Sequence, residues 1–297
     1  MKILITNHWL KKLGGSETFT YTLAGELVDR GHDVQLFTNV PGLISTRISN
    51  DFNIPLIRDP RTRKYDLVLA NHNSCVKEIY PTKTCIIQTC HGTTPQLEQP
   101  SSLADMWVAI SEEIRDHLAE IGFESDVIRN GIDCERFKPK QKLNDKPKLV
   151  LSLSHSQELN DVLKPLFESR GIRFGALNKF KNPVWNVEEY INAADMVISL
   201  GRGAYESMAC GRPVLVLDHR PYQDMLGDGL ITEKNIGRLL YTNCSGRAFK
   251  NKDIKQMVDF ALSNYKPSLG DWCRDFALEN LNIKHQVQKY INLYETV

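Results

Sequence analysis

The sequence predicts an α/β protein made of two doubly wound domains. Short apolar runs of strand length alternate with amphipathic helical patterns along the 297 residues. Residues 137–148 are polar and interrupt this alternation, which is typical of an interdomain linker. A chain of this length holds roughly two domains. Because parallel strands end at one edge of each sheet, we expect two Rossmann-like halves that face a cleft.

In the first half, the apolar run at residues 2–6 predicts a strand, and apolar residues at helical spacing predict a helix over residues 17–30. Ser111 is expected to cap a helix that ends near residue 121. Further strands are predicted at residues 33–38, 66–70, 84–88 and 106–110. We place the first domain at residues 1–145.

The second domain is placed at residues 146–279. Strands are predicted at 149–153, 196–200 and 213–217, with helices at 188–194, 204–210, 252–265 and 270–294. The C-terminal helix, residues 280–297, is expected to pack back on the first domain.

Composition excludes several functional classes. The net charge of +1 argues against a dedicated nucleic-acid surface, and no apolar run approaches the ~20 residues that cross a bilayer. The N-terminus lacks a signal-peptide pattern, and the seven cysteines form no CxxC pair, so we expect reduced thiols and a cytoplasmic protein. No His, Cys or carboxylate spacing fits a metal site, so neither a metal nor another cofactor is expected.

The most informative segment is residues 201–218. It follows an apolar strand, and a glycine-rich turn that opens a helix suits an anion such as a phosphate. Here Gly201 and Gly203 would form an anion nest with Arg202 as cation, Ala204 would open the helix, and Glu206 would meet nucleotide sugar hydroxyls. The alternative is a surface arginine and a glutamate placed by the helix dipole.

Gly14, Gly15, Ser16 and Glu17 open the first helix. Two adjacent glycines let backbone approach a ligand closely, and a helix N-terminus favours negative charge. The alternative is a turn in which Ser16 caps the helix. The segment lacks the third glycine of the dinucleotide fingerprint.

Three other segments carry weaker signals. His91 stands before Gly92 at a strand end and either contacts a substrate oxygen or is satisfied at a turn; His8 and His155 also follow strands but lack a flanking glycine. Asn130 and Gly131 form a turn dipeptide on the hinge side of the cleft, where a structural role is favoured. A basic segment is best explained as a solvated loop; a functional role would be to bind an acceptor phosphate, an anionic lipid surface or nucleic-acid backbone. Its cations are Arg58, Arg61, Arg63 and Lys64.

Taken in order, these motifs resemble the retaining glycosyltransferases of the GT-B fold, specifically family 4. The resemblance rests on GGSE at residues 14–17, His91-Gly92, the RNGID segment at residues 129–133, and ESMACGRPV at residues 206–214. It implies that the second domain binds a nucleotide diphosphate sugar and the first an acceptor. Glu206 would then bind the donor ribose, Gly14 and Gly15 would approach the diphosphate and sugar, and His91 would contact the transferred sugar.

The sequence departs from the family pattern in two places. Ile198 stands where the family commonly carries a second glutamate, eight positions before Glu206. The family's Arg and Lys that clamp the diphosphate are absent from residues 153–158. Because the charge on a leaving diphosphate must be stabilised, we assign that role to Arg202, with Lys179 or Lys181 as helpers.

The expected activity is transfer of a hexose or pentose from a nucleotide diphosphate sugar to an acceptor hydroxyl. Uridine is the expected nucleotide, and retention follows from the resemblance alone. The acceptor is a glycan, a lipid-linked glycan, a protein or a modified nucleic-acid base, and peripheral membrane contact stays open. Glu17 and the basic segment are assigned to the acceptor side. The alternatives are a GT-B nucleotide-sugar epimerase or hydrolase, and a catalytically silent sugar-nucleotide scaffold.

Overall fold

The computed structural model describes residues 1–82, 84–181, 183–220 and 224–296. It forms two compact units: unit 1 is Met1–Gly131 with Ile283–Val297, and unit 2 is Ile132–Asn282. The predicted boundary at residue 145 falls inside unit 2. No helix within the described residues has the length and apolar character needed to span a bilayer.

Unit 1 is built on a fully parallel sheet of order β2-β1-β3-β4-β5-β6. Its strands are apolar along most of their length because helices cover both faces of such sheets. The strands are β1 Lys2–Thr6, β2 Asp33–Phe37, β3 Leu67–Ala70, β4 Cys85–Cys90, β5 Met106–Ala109 and β6 Asp126–Val127. The helices between them are α1 Gly15–Asp29, α2 Leu43–Phe52, α3 Asn73–Ile79 and α4 Glu112–Glu120.

Unit 2 has a sheet of order β11-β10-β9-β7-β8, in which only the β10–β11 pair is antiparallel among the described pairings. The strands are β7 Leu149–Ser152, β8 Arg173–Ala176, β9 Met196–Ser199, β10 Val214–Asp218 and β11 Leu226–Leu230. The helices are α5 Gln157–Glu168, α6 Val187–Ala193, α7 Gly201–Ala209, α8 Ile236–Tyr241, α9 Ile254–Ser263 and α10 Pro267–Asn280. The chain then returns to unit 1 with α11 Ile283–Tyr294.

The two doubly wound units confirm the predicted fold class. The single helix predicted over residues 270–294 is wrong, because α10 ends at Asn280 and α11 begins at Ile283. The carbonyl oxygen of Leu281 accepts the N–H of Ile132 at 2.8 Å. That bond, to the point where the chain enters unit 2, takes the place of a continuing helix.

Residues 137–148, predicted as a linker, are instead held on unit 2. The guanidinium of Arg274 donates to the carbonyl oxygen of Phe137 at 2.8 Å. The buried guanidinium of Arg212 donates to the carbonyl oxygen of Gln141, also at 2.8 Å. The segment is held through its backbone carbonyl oxygens, which every residue carries. Its own side chains therefore give no sign of these contacts, and the sequence predicts a linker.

The carboxylate of Asp195 fixes the end of the same segment. It accepts backbone N–H groups at 2.7 to 3.1 Å from Asn144, Lys148 and Leu149. Burial alone would raise the pKa of Asp195, but these hydrogen bonds outweigh it and lower the pKa. The carboxylate therefore stabilises unit 2 in its ionised form.

Candidate active site

The helix α7 presents two predicted site residues, Arg202 and Glu206, directly after β9 at the carboxyl edge of the unit 2 sheet. Arg202 Nε lies 2.9 Å from Glu206 Oε1. Each residue is only 8% exposed. The spacing of four residues places both side chains on one face of the helix, which is why the pair forms.

Further charged groups surround this pair. Arg136 Nη2 donates to Glu188 Oε2 at 2.9 Å and to the carbonyl oxygen of Trp185 at 2.5 Å. Burial raises the pKa of the Glu206 carboxyl, and the positive charges of Arg202 and Arg136 oppose that shift. The site therefore combines two carboxylates with two guanidiniums.

The glycines of this segment serve packing more than the predicted anion nest. Residues 201–203 lie in the first turn of α7, and the N–H of Gly201 donates to the carbonyl oxygen of Cys244 at 3.0 Å. That donor is already occupied, so it is not open to a phosphate. A Cβ at Gly203 would overlap Ser199 Oγ, so glycine permits the close approach of α7 to β9.

Ala204, predicted to contact the donor, is fully buried in the core of unit 2. Its side chain therefore lies beneath the helix surface, so a donor contact at this position would use the backbone.

Lys179 and Lys181 lie in the loop after β8, at the same edge of the unit 2 sheet. Lys181 Nζ donates to Gln157 Oε1 at 3.0 Å, and Lys179 Nζ lies 5.2 Å from the ring centroid of Phe180. Burial and the charge of Lys179 lower the pKa of His155 to about 4. The described contacts do not join either lysine to Arg202.

Ile198 lies within β9 and is fully buried. It pairs with Ser152 of β7 and Leu215 of β10, so it occupies the middle of the sheet. The prediction that this position lies inside a strand is confirmed, and an aliphatic core residue stands where the family pattern has an acid.

In unit 1, the GGSE segment begins α1 at Gly15, with Gly14 at the N-cap. Ser16 therefore lies inside the first turn, and the alternative in which it caps the helix is wrong. Ser16 Oγ donates to Glu17 Oε2 at 3.1 Å. The Glu17 carboxylate folds back over Gly14, where a Cβ would overlap it, whereas a Cβ at Gly15 would meet open space.

His91 lies directly after β4, and its Nε2 is 3.0 Å from Asn71 Oδ1. Its ring packs edge-on against Phe19 of α1, with centroids 5.5 Å apart. The structure thus brings His91 and the helix opened by GGSE together.

Two more histidines lie at the same edge of the unit 1 sheet. His8 Nδ1 is 2.8 Å from Ser74 Oγ, and the backbone N–H of His8 donates to His72 Nδ1 at 3.2 Å. Burial, aided by His8, lowers the pKa of His72 to about 4. The ring centroids of His72 and His91 are 6.4 Å apart, so three strand ends contribute to one polar cluster.

Asn130 and Gly131 are the last two residues of unit 1 before the chain enters unit 2. Asn130 is 5% exposed, and a Cβ at Gly131 would overlap Ile283 at the start of α11. The adjacent Arg129 donates to Glu112 Oε1 at 2.5 Å. These contacts favour the structural role that the sequence indicated.

The basic segment is exposed at all four predicted cations, Arg58, Arg61, Arg63 and Lys64. Asp59 accepts the backbone N–H of Arg61 at 3.0 Å and pairs with its guanidinium at 3.1 Å. The described contacts do not join this segment to the His91 cluster, in agreement with a solvated loop.

Sequence reasoning missed several residues of these clusters. Asn71 and His72 directly follow β3, so the strand-end position that singled out His91 also applied to them. Arg136 lies close after the RNGID segment, but its ion pair with Glu188 depends on a contact that no local pattern indicates. Among the described residues, no group of three or more His, Cys, Asp or Glu side chains is arranged to hold a metal ion.

The sequence and the fold were compared with those of known proteins. Residues 13–136 match the sequence model described as Glycosyltransferase Family 4. No curated protein matches the sequence. Among solved structures, a glycosyltransferase from Rickettsia africae is similar, with a TM-score of 0.64 and 14% identity over 99% of this chain and 98% of that one.

Two further structures are similar over nearly their full length. An alpha-glucosyltransferase in complex with UDP and a 13-mer DNA has a TM-score of 0.62 and 12% identity, covering 99% of each chain. MurG of Acinetobacter baumannii has a TM-score of 0.55 and 12% identity, covering 100% of each chain. The resemblance inferred from the motifs is confirmed. The chain therefore has the GT-B fold, and its residues 13–136 resemble Glycosyltransferase Family 4.

Proposed function

We propose that this protein is a glycosyltransferase that moves a hexose or pentose from a uridine diphosphate sugar to an acceptor hydroxyl, with retention at the transferred carbon. The observation that carries the proposal is the buried Arg202–Glu206 pair directly after β9. Doubly wound sheets bind nucleotides at the carboxyl ends of their strands, which is where this pair lies.

The two side chains suit the two halves of a nucleotide diphosphate. The Glu206 carboxylate only accepts hydrogen bonds, and the neighbouring hydroxyls of a ribose supply two donors. The Arg202 guanidinium would stabilise the negative charge that develops on the leaving diphosphate. Lys179 and Lys181 lie on a loop at the same edge and would assist. The proposal needs neither a metal nor another cofactor.

Unit 1 would supply the remaining donor contacts and the acceptor side. Gly15 has open space at its Cα, which suits the close approach of a diphosphate, and His91 would contact the transferred sugar. The Glu17 carboxylate lies over Gly14, so it must rotate away before an anionic donor comes near that glycine. Ser16, Asn130 and Gly131 are further proposed donor contacts in unit 1. Gly201, Gly203 and Ala204 are those in unit 2.

The acceptor is proposed to be a glycan, a lipid-linked glycan, a protein or a modified nucleic-acid base. The exposed cations at residues 58–64 would suit an anionic acceptor or a peripheral membrane contact. A cytoplasmic location is proposed because all seven cysteines are free.

A sugar-nucleotide scaffold without activity is the second candidate, and one observation favours it. Ile198 is a core residue, so this position offers no carboxylate to the donor sugar. A nucleotide-sugar epimerase or hydrolase is a third candidate, which would consume the donor in the absence of any acceptor.

Nucleotide release with and without acceptor separates these candidates. The protein is incubated with a panel of uridine diphosphate sugars, and free UDP is measured before and after an acceptor panel is added. A transferase releases UDP slowly until the acceptor is added. Equal UDP release without acceptor indicates a hydrolase, and conversion of the donor into another UDP-sugar without UDP release indicates an epimerase. UDP binding with neither donor conversion nor turnover on any acceptor indicates a scaffold.

A further inference from the structure

We infer that Asn71 is a positioning residue that fixes His91 as the tautomer protonated on Nε2. Nδ1 is then the basic nitrogen of the imidazole. The inference concerns the hydrogen-bond network of unit 1, and its consequence for catalysis rests on the proposed function. The groups around the Asn71 side-chain amide determine how that amide is oriented.

Two acceptors occupy the nitrogen end of this amide. Asn71 Nδ2 donates to the carbonyl oxygen of Thr6 at 2.9 Å and to Thr20 Oγ1 at 3.3 Å. Thr20 gives its own hydroxyl proton to the carbonyl oxygen of Ser16 at 2.8 Å, so Thr20 Oγ1 acts as an acceptor toward Asn71. Both N–H bonds of the amide are therefore used, and its oxygen must be the atom on the other side.

That oxygen faces His91. Asn71 Oδ1 lies 3.0 Å from His91 Nε2, and an amide oxygen only accepts hydrogen bonds. Nε2 must therefore carry a proton in this contact. In the neutral ring the second nitrogen is then unprotonated, because a neutral imidazole has one N–H.

The network that sets this orientation is buried and spans several elements. Asn71 is 1% exposed and Thr20 is fully buried. Thr6 ends β1, Asn71 follows β3 and His91 follows β4, while Ser16 and Thr20 belong to α1. The backbone of the GGSE helix is thus connected through two side chains to the protonation state of His91.

The direct test measures the tautomer in the wild-type protein. Two-bond nitrogen–proton NMR spectra of the imidazoles are recorded above the titration of His91, with its signals assigned from a His91→Gln variant. We expect protonated Nε2 and unprotonated Nδ1. His72 is an internal reference, because its Nδ1 accepts the His8 N–H and its ring is held in the same tautomer. A protonated Nδ1 in neutral His91 would overturn the inference.

Substitutions test the consequence. Asn71→Leu removes the acceptor and should lower kcat with little change in the donor KM. Asn71→Asp keeps an oxygen toward Nε2 and should retain the tautomer, although its second oxygen cannot donate to the carbonyl oxygen of Thr6 as the amide nitrogen does. Unchanged kcat and an unchanged tautomer in Asn71→Leu would contradict the assignment.

The matched control is Asn7→Leu. Asn7 is also fully buried and donates to Thr20 Oγ1 at 2.9 Å, but it is not the described partner of His91 Nε2. The tautomer of His91 should survive this change. If transfer activity is absent from every preparation, the proposed function fails, whereas the NMR result still decides the tautomer.

Discussion

Arg202 Nε lies 2.9 Å from Glu206 Oε1, one helical turn further along α7, in a pair that is 8% exposed at each residue. The two residues assigned to opposite ends of a nucleotide diphosphate are therefore partners of each other before any ligand arrives. A donor would meet a carboxylate and a guanidinium that are already oriented, which reduces the ordering that binding requires.

This pairing changes what Arg202→Ala is expected to do. If Arg202 acted only on a leaving diphosphate, this substitution would remove turnover and leave the fold intact. Since the substitution leaves Glu206 buried without its partner, we now expect the free energy of unfolding to fall by about 3–5 kcal/mol. Urea denaturation measures it. The control is Arg170→Ala, which breaks a more exposed pair with Asp259 and should cost about 1 kcal/mol or less. Equal losses in the two variants would contradict the buried-pair account.

Donor binding should depend on pH through Glu206. Because burial raises the pKa of this carboxyl, it is protonated at a higher pH than an ordinary glutamate. UDP affinity should be full above the raised pKa and should fall as the pH drops through it. Glu206→Gln should weaken binding by about 10–100-fold, the value of hydrogen bonds to a charged group. Calorimetric titrations across the pH range test this, and a variant that keeps the wild-type pH dependence would show that another group titrates.

Two glycine substitutions should separate ligand contact from packing. Gly15→Ala places its Cβ in open space, so the melting temperature should hold while donor affinity falls. Gly203→Ala places its Cβ against Ser199 Oγ, so the Ser199 hydroxyl must rotate or α7 must shift, and the melting temperature should drop. Thermal melts with and without UDP measure both effects. Full donor affinity in Gly15→Ala would remove Gly15 from the proposed donor contacts.

Asp195→Asn should destabilise unit 2 in a pH-dependent manner. The folded-state pKa of Asp195 is lowered, so its contribution is present above the unfolded pKa of about 4 and is lost as pH falls through the folded value. Near neutral pH, we expect the free energy of unfolding to fall by about 1–3 kcal/mol in the variant. The difference in unfolding free energy between wild type and variant, measured by urea denaturation, should narrow on acidification. A gap that stays constant down to the lowest pH at which the wild type folds would argue against an ionised anchor.

Much of the fold could be predicted because parallel strands leave continuous apolar runs in the sequence. The strands at residues 2–6 and 196–199 are recovered within one residue, and Ile198 lies in its strand as expected. What could not be predicted depends on partners distant in sequence. The helix break after Asn280 depends on Ile132, and the ordered segment 137–148 depends on Arg212 and Arg274.

In the candidate site, too, features with a local sequence signal could be predicted, and contacts between residues distant in sequence could not. Motif order identified the carboxyl edges of both sheets, because glycine turns and strand-end polar residues are local signals. The contact between Asn71 and His91 joins residues that follow neighbouring strands, so it requires knowledge of the strand order. The occupied N–H of Gly201 depends on Cys244, far along the chain, and therefore had no local signature.

The Arg202–Glu206 pair is proposed to bind the nucleotide of the donor. Calorimetric titration of UDP into the wild type and into the double variant Arg202→Met/Glu206→Leu tests this role directly. Removing both charges together avoids leaving either member of the pair buried without the other, so the fold should persist, which a thermal melt verifies. UDP should bind to the wild type and should not bind to the folded double variant. Wild-type UDP affinity in the double variant would contradict the proposed role of the pair.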